Sequence, residues 1–167
     1  MKEVKFKGNT MNLEGNEISV GDKAPDFILH SQSLEEIKLS DFSDKIKIIT
    51  TFPSLDTPVC DAQVRRFNKI ASELSENIIV LGVSKDLPFA HARFCETNGI
   101  KGVITGSDYR DNNFGQAYGL LIKELGLLAR SIMILDKDNS IIYFQLVNEV
   151  TDEPNFDEAI EFLKNIT

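Results

Sequence analysis

Cysteine occurs only twice in this chain of 167 residues, and histidine only twice. Cys60 and Cys95 stand 35 positions apart, so there is no CxxC pair, which excludes an active site built on neighbouring cysteines. A metal site assembled from cysteines would have to recruit His30 or His91, and His91-x3-Cys95 is the only suggestive spacing. Positive charge is also scarce. Eighteen Lys and Arg face 26 Asp and Glu, and the formal charge of −8 speaks against binding nucleic acid or an anionic membrane. The acidic balance reads instead as a solvated surface. No apolar run approaches the ~20 residues of a membrane span. The segment Met1-Lys2-Glu3-Val4-Lys5-Phe6-Lys7 carries positive charge with no apolar run behind it, so no secretory leader is expected. These absences point to a cytoplasmic protein. In a reducing compartment a structural disulfide is disfavoured, whereas a transient catalytic one is allowed.

What is present is the pattern of one α/β domain, large enough to bury roughly 70% of its unfolded surface without a disulfide staple. Alternating segments Val4 to Lys7, Thr10 to Leu13 and Glu17 to Val20 are broken by Gly8-Asn9 and Glu14-Gly15-Asn16. They predict an N-terminal β-hairpin extension over residues 1–20, ahead of a main domain over 21–167. Strands are expected at Asp26 to Leu29, Ile37 to Leu39 and Ile46 to Phe52, the last one central and buried. Val64, Phe67, Ala71 and Leu74 recur at helical spacing from Cys60 to Leu74. Ile78 to Val83 is a near-continuous apolar strand of the parallel-sheet kind. Leu87 to Asn98 reads as a helix stopped by Gly99. A short strand is expected at Ile100 to Ile104 and a short helix at Phe114 to Leu120. Strands Ser131 to Leu135 and Ile141 to Leu146 flank the turn Asp136-Lys137-Asp138-Asn139-Ser140. A closing helix, Phe156 to Ile166, should turn Phe156, Ala159, Ile160, Leu163 and Ile166 inward. The order β-α-β-α, β-hairpin, α is similar to that of a thioredoxin-like domain, a mixed central sheet flanked by helices.

The densest signal is Pro53-Ser54-Leu55-Asp56-Thr57-Pro58-Val59-Cys60, between a buried strand and a helix. A cysteine in the first helical turn meets unpaired backbone N–H groups and the positive end of the helix dipole, and both favour the nucleophilic thiolate. The spacing Pro-x3-Thr-x2-Cys would arise in only roughly 0.3% of shuffled chains of this composition. A small inert hydrophobe at a strand–helix junction is the bland reading of Cys60. The octet resembles the active-site loop of the peroxiredoxins, and as a whole that of their bacterial thiol peroxidase branch.

That resemblance implies a thiol-dependent peroxidase reducing hydrogen peroxide or small organic hydroperoxides. Cys60 matches the peroxidatic cysteine. Cys95, in Phe89-Ala90-His91-Ala92-Arg93-Phe94-Cys95, lies on the helix where this branch keeps its resolving cysteine, which implies an intramolecular Cys60–Cys95 disulfide. Arg130, ahead of Ser131-Ile132-Met133-Ile134-Leu135, matches the family's arginine, whose planar guanidinium can steady charge on sulfur and on the leaving oxygen. Thr57 would hydrogen-bond the thiolate, and Pro53 would shape and shield the loop. No metal, haem or flavin is implied, because sulfur carries the redox change. Thioredoxin is the implied reductant, and a homodimer the implied assembly.

Blander uses stand beside these roles. Arg130 could be a surface charge at a strand start, and Thr57 a simple helix cap. Asp56, Asp61, Arg65, Arg66 and Arg93 read as solvated. Cys95 as plain core would leave a one-cysteine peroxidase. A redox sensor or binding module using Cys60 only as a switch is the rival from another class.

Overall fold

In the computed structural model, which describes residues 2–74 and 76–166, the chain opens with the antiparallel hairpin β1 (Glu3–Phe6) and β2 (Asn9–Glu14). Lys7 and Gly8 turn it with φ of 51° and 82°, the twist that suits a two-residue hairpin loop. The third alternating segment, Glu17 to Val20, is no strand. Gly15 lies so close to the Gln116 backbone that a Cβ there would sit 2.2 Å from the Gln116 carbonyl oxygen. The Asn16 N–H bonds that same carbonyl, so this stretch docks on a distant helix, Asn113–Tyr118, and buries Ile18 without a ladder.

β3 (Ile28–His30) and β4 (Glu36–Lys38) follow, then a 3-10 turn, Leu39–Phe42, and β5 (Ile46–Thr51). Next come α1 (Pro58–Ala71), β6 (Ile78–Ser84), α2 (Pro88–Asn98) and β7 (Ile104–Ser107). The strand expected at Ile100 to Ile104 starts only at Ile104. Gly99, at φ 64°, closes α2, and the buried Ile100 gives its N–H to the Cys95 carbonyl, so Ile100 seals a helix end instead of joining the sheet. α3 (Asn113–Tyr118) leads to β8 (Leu121–Ile122) and β9 (Leu127–Leu128), two strands too short to leave a period-2 signal. β10 (Ser131–Leu135), β11 (Ile141–Leu146) and α4 (Phe156–Ile166) complete the chain.

Seven strands form the main sheet in the order β11-β10-β5-β6-β7-β3-β4, and β1-β2-β8-β9 form a second. β5, β6 and β7 run parallel and their outer neighbours antiparallel, so the sheet is mixed. Strands covered on both faces, parallel or not, need apolar residues at successive positions. β10 shows the result: Ile132 and Ile134 enter the layer with Val64 and Phe67 of α1 and Ala159 and Leu163 of α4. Met133 and Leu135 enter the opposite layer with Val4, Leu13, Phe114 and Ile122. The N-terminal hairpin thus covers part of the core. On α4, Ala159 and Leu163 are buried and Phe156 and Ile160 half-buried, but Ile166 is 40% exposed, because the last turn runs past the sheet. Among the described residues no helix is long and apolar enough to cross a membrane.

Candidate active site

β5 ends in the middle of the sheet, and six residues carry the chain from Thr51 to α1. Thr57 is the N-cap, in extended conformation, and Pro58 is the first helical residue, where a missing N–H costs nothing. Cys60 is therefore the third residue of α1, fully buried, with the helix dipole behind it. Gln63 is one turn further on the same face and also fully buried.

Arg130 enters from the β9–β10 junction and is only 2% exposed. Its guanidinium spends its fork on three acceptors. Nε donates to the Val150 carbonyl at 2.9 Å, Nη1 to Gln63 Oε1 at 2.8 Å, and Nη2 to Cys60 Sγ at 3.2 Å. The Gln63 amide is held in turn: Nε2 donates to the Thr51 carbonyl at 3.0 Å and to the Thr50 hydroxyl. Thr51 Oγ1 donates to the Ala129 carbonyl at 2.7 Å, beside Arg130 itself. A buried cation is costly unless compensated, and of these three partners only sulfur can carry negative charge. The arrangement suits an anionic sulfur.

A pocket of about 340 Å³ opens beside this group. Pro53, Thr57 and Val59 line it from the loop and α1, Arg130 and Val150 from the far side, and Phe6 from the hairpin. Pro53 is buried in the wall. The expected hydrogen bond from Thr57 to the sulfur is not made. The hydroxyl's single proton goes to the Ser54 carbonyl at 3.0 Å, the acceptor its own backbone N–H also reaches, as Thr does in tight turns.

Cys95 is 6% exposed on α2, and both cysteines are free thiols. Burial pushes the Cys95 thiol up, partly offset by a hydrogen bond from Gln32. His91 does not converge on Cys95 but turns to Ser84 at 2.8 Å. Among the described residues no group of three or more His, Cys, Asp or Glu side chains could hold a metal ion. Arg65 pairs with Asp61 and Arg66 with Asp157, both on the exposed side of α1.

Two residues of this region escaped the sequence reading. Gln63 had a signal, a polar side chain on the stripe Cys60, Val64, Phe67 that buries itself. Asp86 had none. It lies 31 residues beyond Leu55, yet its carboxylate holds the loop by accepting from Ser54 Oγ at 2.8 Å and the Leu55 N–H at 2.9 Å.

Residues 19–160 match the family model described as Redoxin. The chain is 50% identical over 164 residues to a thiol peroxidase of Bacillus subtilis (strain 168), covering 98% of each chain. It is 48% identical over 166 residues to one of Staphylococcus aureus (strain COL), covering 99% of this chain and 100% of that one. A peroxiredoxin-like protein from Aquifex aeolicus superposes with a TM-score of 0.93 at 40% identity, over 100% of this chain and 98% of the other. The chain therefore belongs to the redoxin family, in the thiol peroxidase branch of the peroxiredoxins.

Proposed function

We propose that this protein is a two-cysteine thiol peroxidase. The observation that carries the reading is the buried guanidinium of Arg130, 3.2 Å from Cys60 Sγ at the edge of a pocket. The Cys60 thiolate attacks the outer oxygen of a hydroperoxide, the O–O bond breaks, and the leaving alkoxide or hydroxide takes a proton to become alcohol or water. Cys60 is left as a sulfenic acid. Arg130 steadies charge on sulfur and on the departing oxygen, as a rigid, permanently charged donor can. Gln63 holds the guanidinium in plane, while Pro53 and Thr57 form the wall past which the peroxide enters.

The Cys95 thiol then displaces hydroxide from the Cys60 sulfenic acid, giving a Cys60–Cys95 disulfide and water. A disulfide needs Cα atoms within about 7 Å. Cys60 begins one helix and Cys95 nears the end of another, so both termini must loosen for the bond to form. A thioredoxin-type dithiol returns both sulfurs to thiols, and the working form is a homodimer, to be checked by light scattering. The apolar pocket is far larger than hydrogen peroxide requires, which supports organic hydroperoxides as substrates as well.

Thioredoxin-coupled consumption of hydrogen peroxide and cumene hydroperoxide, measured side by side, tests the reading. Sustained turnover of either is expected, with a mass loss of about two daltons per chain on mild oxidation and no covalent dimer on a non-reducing gel. A protein that oxidises once and stops is a sensor, and a ladder of covalent dimers overturns the intramolecular pairing.

A further inference from the structure

Asp86 stands just beyond β6 and is anchored to the sheet: Ser107 Oγ donates to its carbonyl, and the Asp108 N–H bonds the neighbouring Ser84 carbonyl at 2.9 Å. From this fixed post its carboxylate reaches in two directions. Toward the site, it takes the Ser54 hydroxyl and the Leu55 N–H. The rest of the turn hangs on Ser54, whose Oγ accepts from the Asp56 N–H at 3.1 Å and whose carbonyl accepts from Thr57. Toward α2, Asp86 Oδ2 takes the Ser84 hydroxyl at 2.6 Å, and Ser84 Oγ lies 2.8 Å from His91 Nε2.

Proton counting settles how this chain runs. The Ser84 hydroxyl has one proton, which goes to the carboxylate, so toward His91 its oxygen can only accept. His91 therefore carries its proton on Nε2. That leaves Nδ1 as a bare lone pair, fully buried and without a partner, the one such side-chain atom among the described residues. A buried nitrogen left unpaired in this way is costly, and it marks a side chain held for its other end. His91 is one helical turn before Cys95, on the same face of α2.

We propose that Ser54–Asp86–Ser84–His91 is a latch that keeps the Cys60 loop and the Cys95 helix folded together, with Asp86 as the positioning residue that sets when Cys95 can reach the Cys60 sulfenic acid. This rests on the two-cysteine reading above. Loosening the first turn of α1 draws Ser54 and Leu55 off Asp86, and loosening α2 draws His91 off Ser84, so one carboxylate resists both movements. While the latch holds, the sulfenic acid stays in its pocket, exposed to a second hydroperoxide. That molecule converts it to sulfinic acid and itself becomes alcohol, in competition with disulfide formation, which releases water.

Stopped-flow kinetics with quenched mass spectrometry test the latch on the full chain. Asp86→Ala frees both ends. Disulfide formation should quicken about tenfold, the change expected when a hydrogen bond to a charged group no longer favours the folded form. More hydroperoxide should be needed to produce sulfinic acid, and the first reaction with Cys60 should slow. Ser84→Ala cuts only the His91 end and should quicken disulfide formation by a smaller factor, so it decides the matter should Asp86→Ala fail to fold. A merely structural role would lower Tm and leave the disulfide step unchanged or slower in both variants, and that result overturns the latch. If the parent itself forms no Cys60–Cys95 disulfide, the two-cysteine reading falls and the latch with it. A parent that forms the disulfide beside variants that do so at its own rate removes the latch alone.

Discussion

Cys60 and Cys95 share one apolar layer beneath α1 and α4, but different groups meet the two sulfurs. Cys60 receives a guanidinium whose other donors are fixed by Val150 and Gln63. Cys95 receives the side-chain amide of Gln32, and burial raises its thiol. Equal burial therefore does not mean equal chemistry. The sulfur of Cys60 lies beside a fixed cation, while burial favours the thiol form of Cys95. The proposed roles, nucleophile for Cys60 and second thiol for Cys95, rest on that difference.

The largest effects should come from exchanging the sulfurs. Cys60→Ser should consume no hydroperoxide even in the first turnover, because a serine hydroxyl is too weakly acidic to replace a thiolate at neutral pH. Cys95→Ser should react once at near-parental rate and then stall, with thioredoxin-linked turnover lost. Continued cycling of Cys95→Ser would reduce Cys95 to core and erase the contrast.

Arg130→Lys comes next. Lysine keeps the charge but cannot hold Val150, Gln63 and the sulfur with one planar fork, so the peroxide step should slow at least about tenfold, about 1.4 kcal/mol in the barrier. Stopped-flow rates report it, and an unchanged rate would make the guanidinium ornamental.

Gln63→Leu sharpens the same side. It strips an acceptor from Nη1 and a donor from the Thr51 carbonyl, leaving buried polar groups unpaired at a cost of about 1–3 kcal/mol in unfolding free energy. Its effect on the peroxide step should be smaller than that of Arg130→Lys.

The effect on the Cys95 side is absent near neutrality and appears only as pH falls. Burial pushes His91 down to about 4 from its ordinary 6.5, with the facing Asp86 carboxylate opposing the shift. Between those values the unfolded chain binds the proton and the folded one does not, so stability falls as pH drops from 6.5 toward 4, by up to about 3 kcal/mol. Denaturation midpoints of the parent against His91→Asn should converge as pH falls. Parallel curves would mean that His91 is protonated in the fold.

The Cys60 side was far more legible in the sequence than the Cys95 side. An eight-residue loop, a helix start and a strand head are local patterns; Pro53, Thr57 and Arg130 line one pocket, with Cys60 buried behind Arg130. The direction of the Thr57 hydroxyl was not legible, because the choice between Ser54 and the sulfur depends on a turn one residue wide. β8 and β9 were missed because two residues cannot show a period, and Ile100 was misread because an apolar residue after Gly99 serves a helix end as well as a strand. Asp86 was invisible for another reason: its partners Ser54 and Leu55 reach it only once β5 and β6 lie side by side.

Mapping the first oxidation product tests the account most directly. Cys95→Ser, treated with one equivalent of hydroperoxide, trapped with a sulfenic-acid reagent and digested, should carry the adduct on the peptide containing Cys60. The parent, treated alike, should yield a peptide pair joined through Cys60 and Cys95. Absence of any adduct at Cys60, or a parent whose two sulfurs never join, would contradict the assignment of the two cysteines.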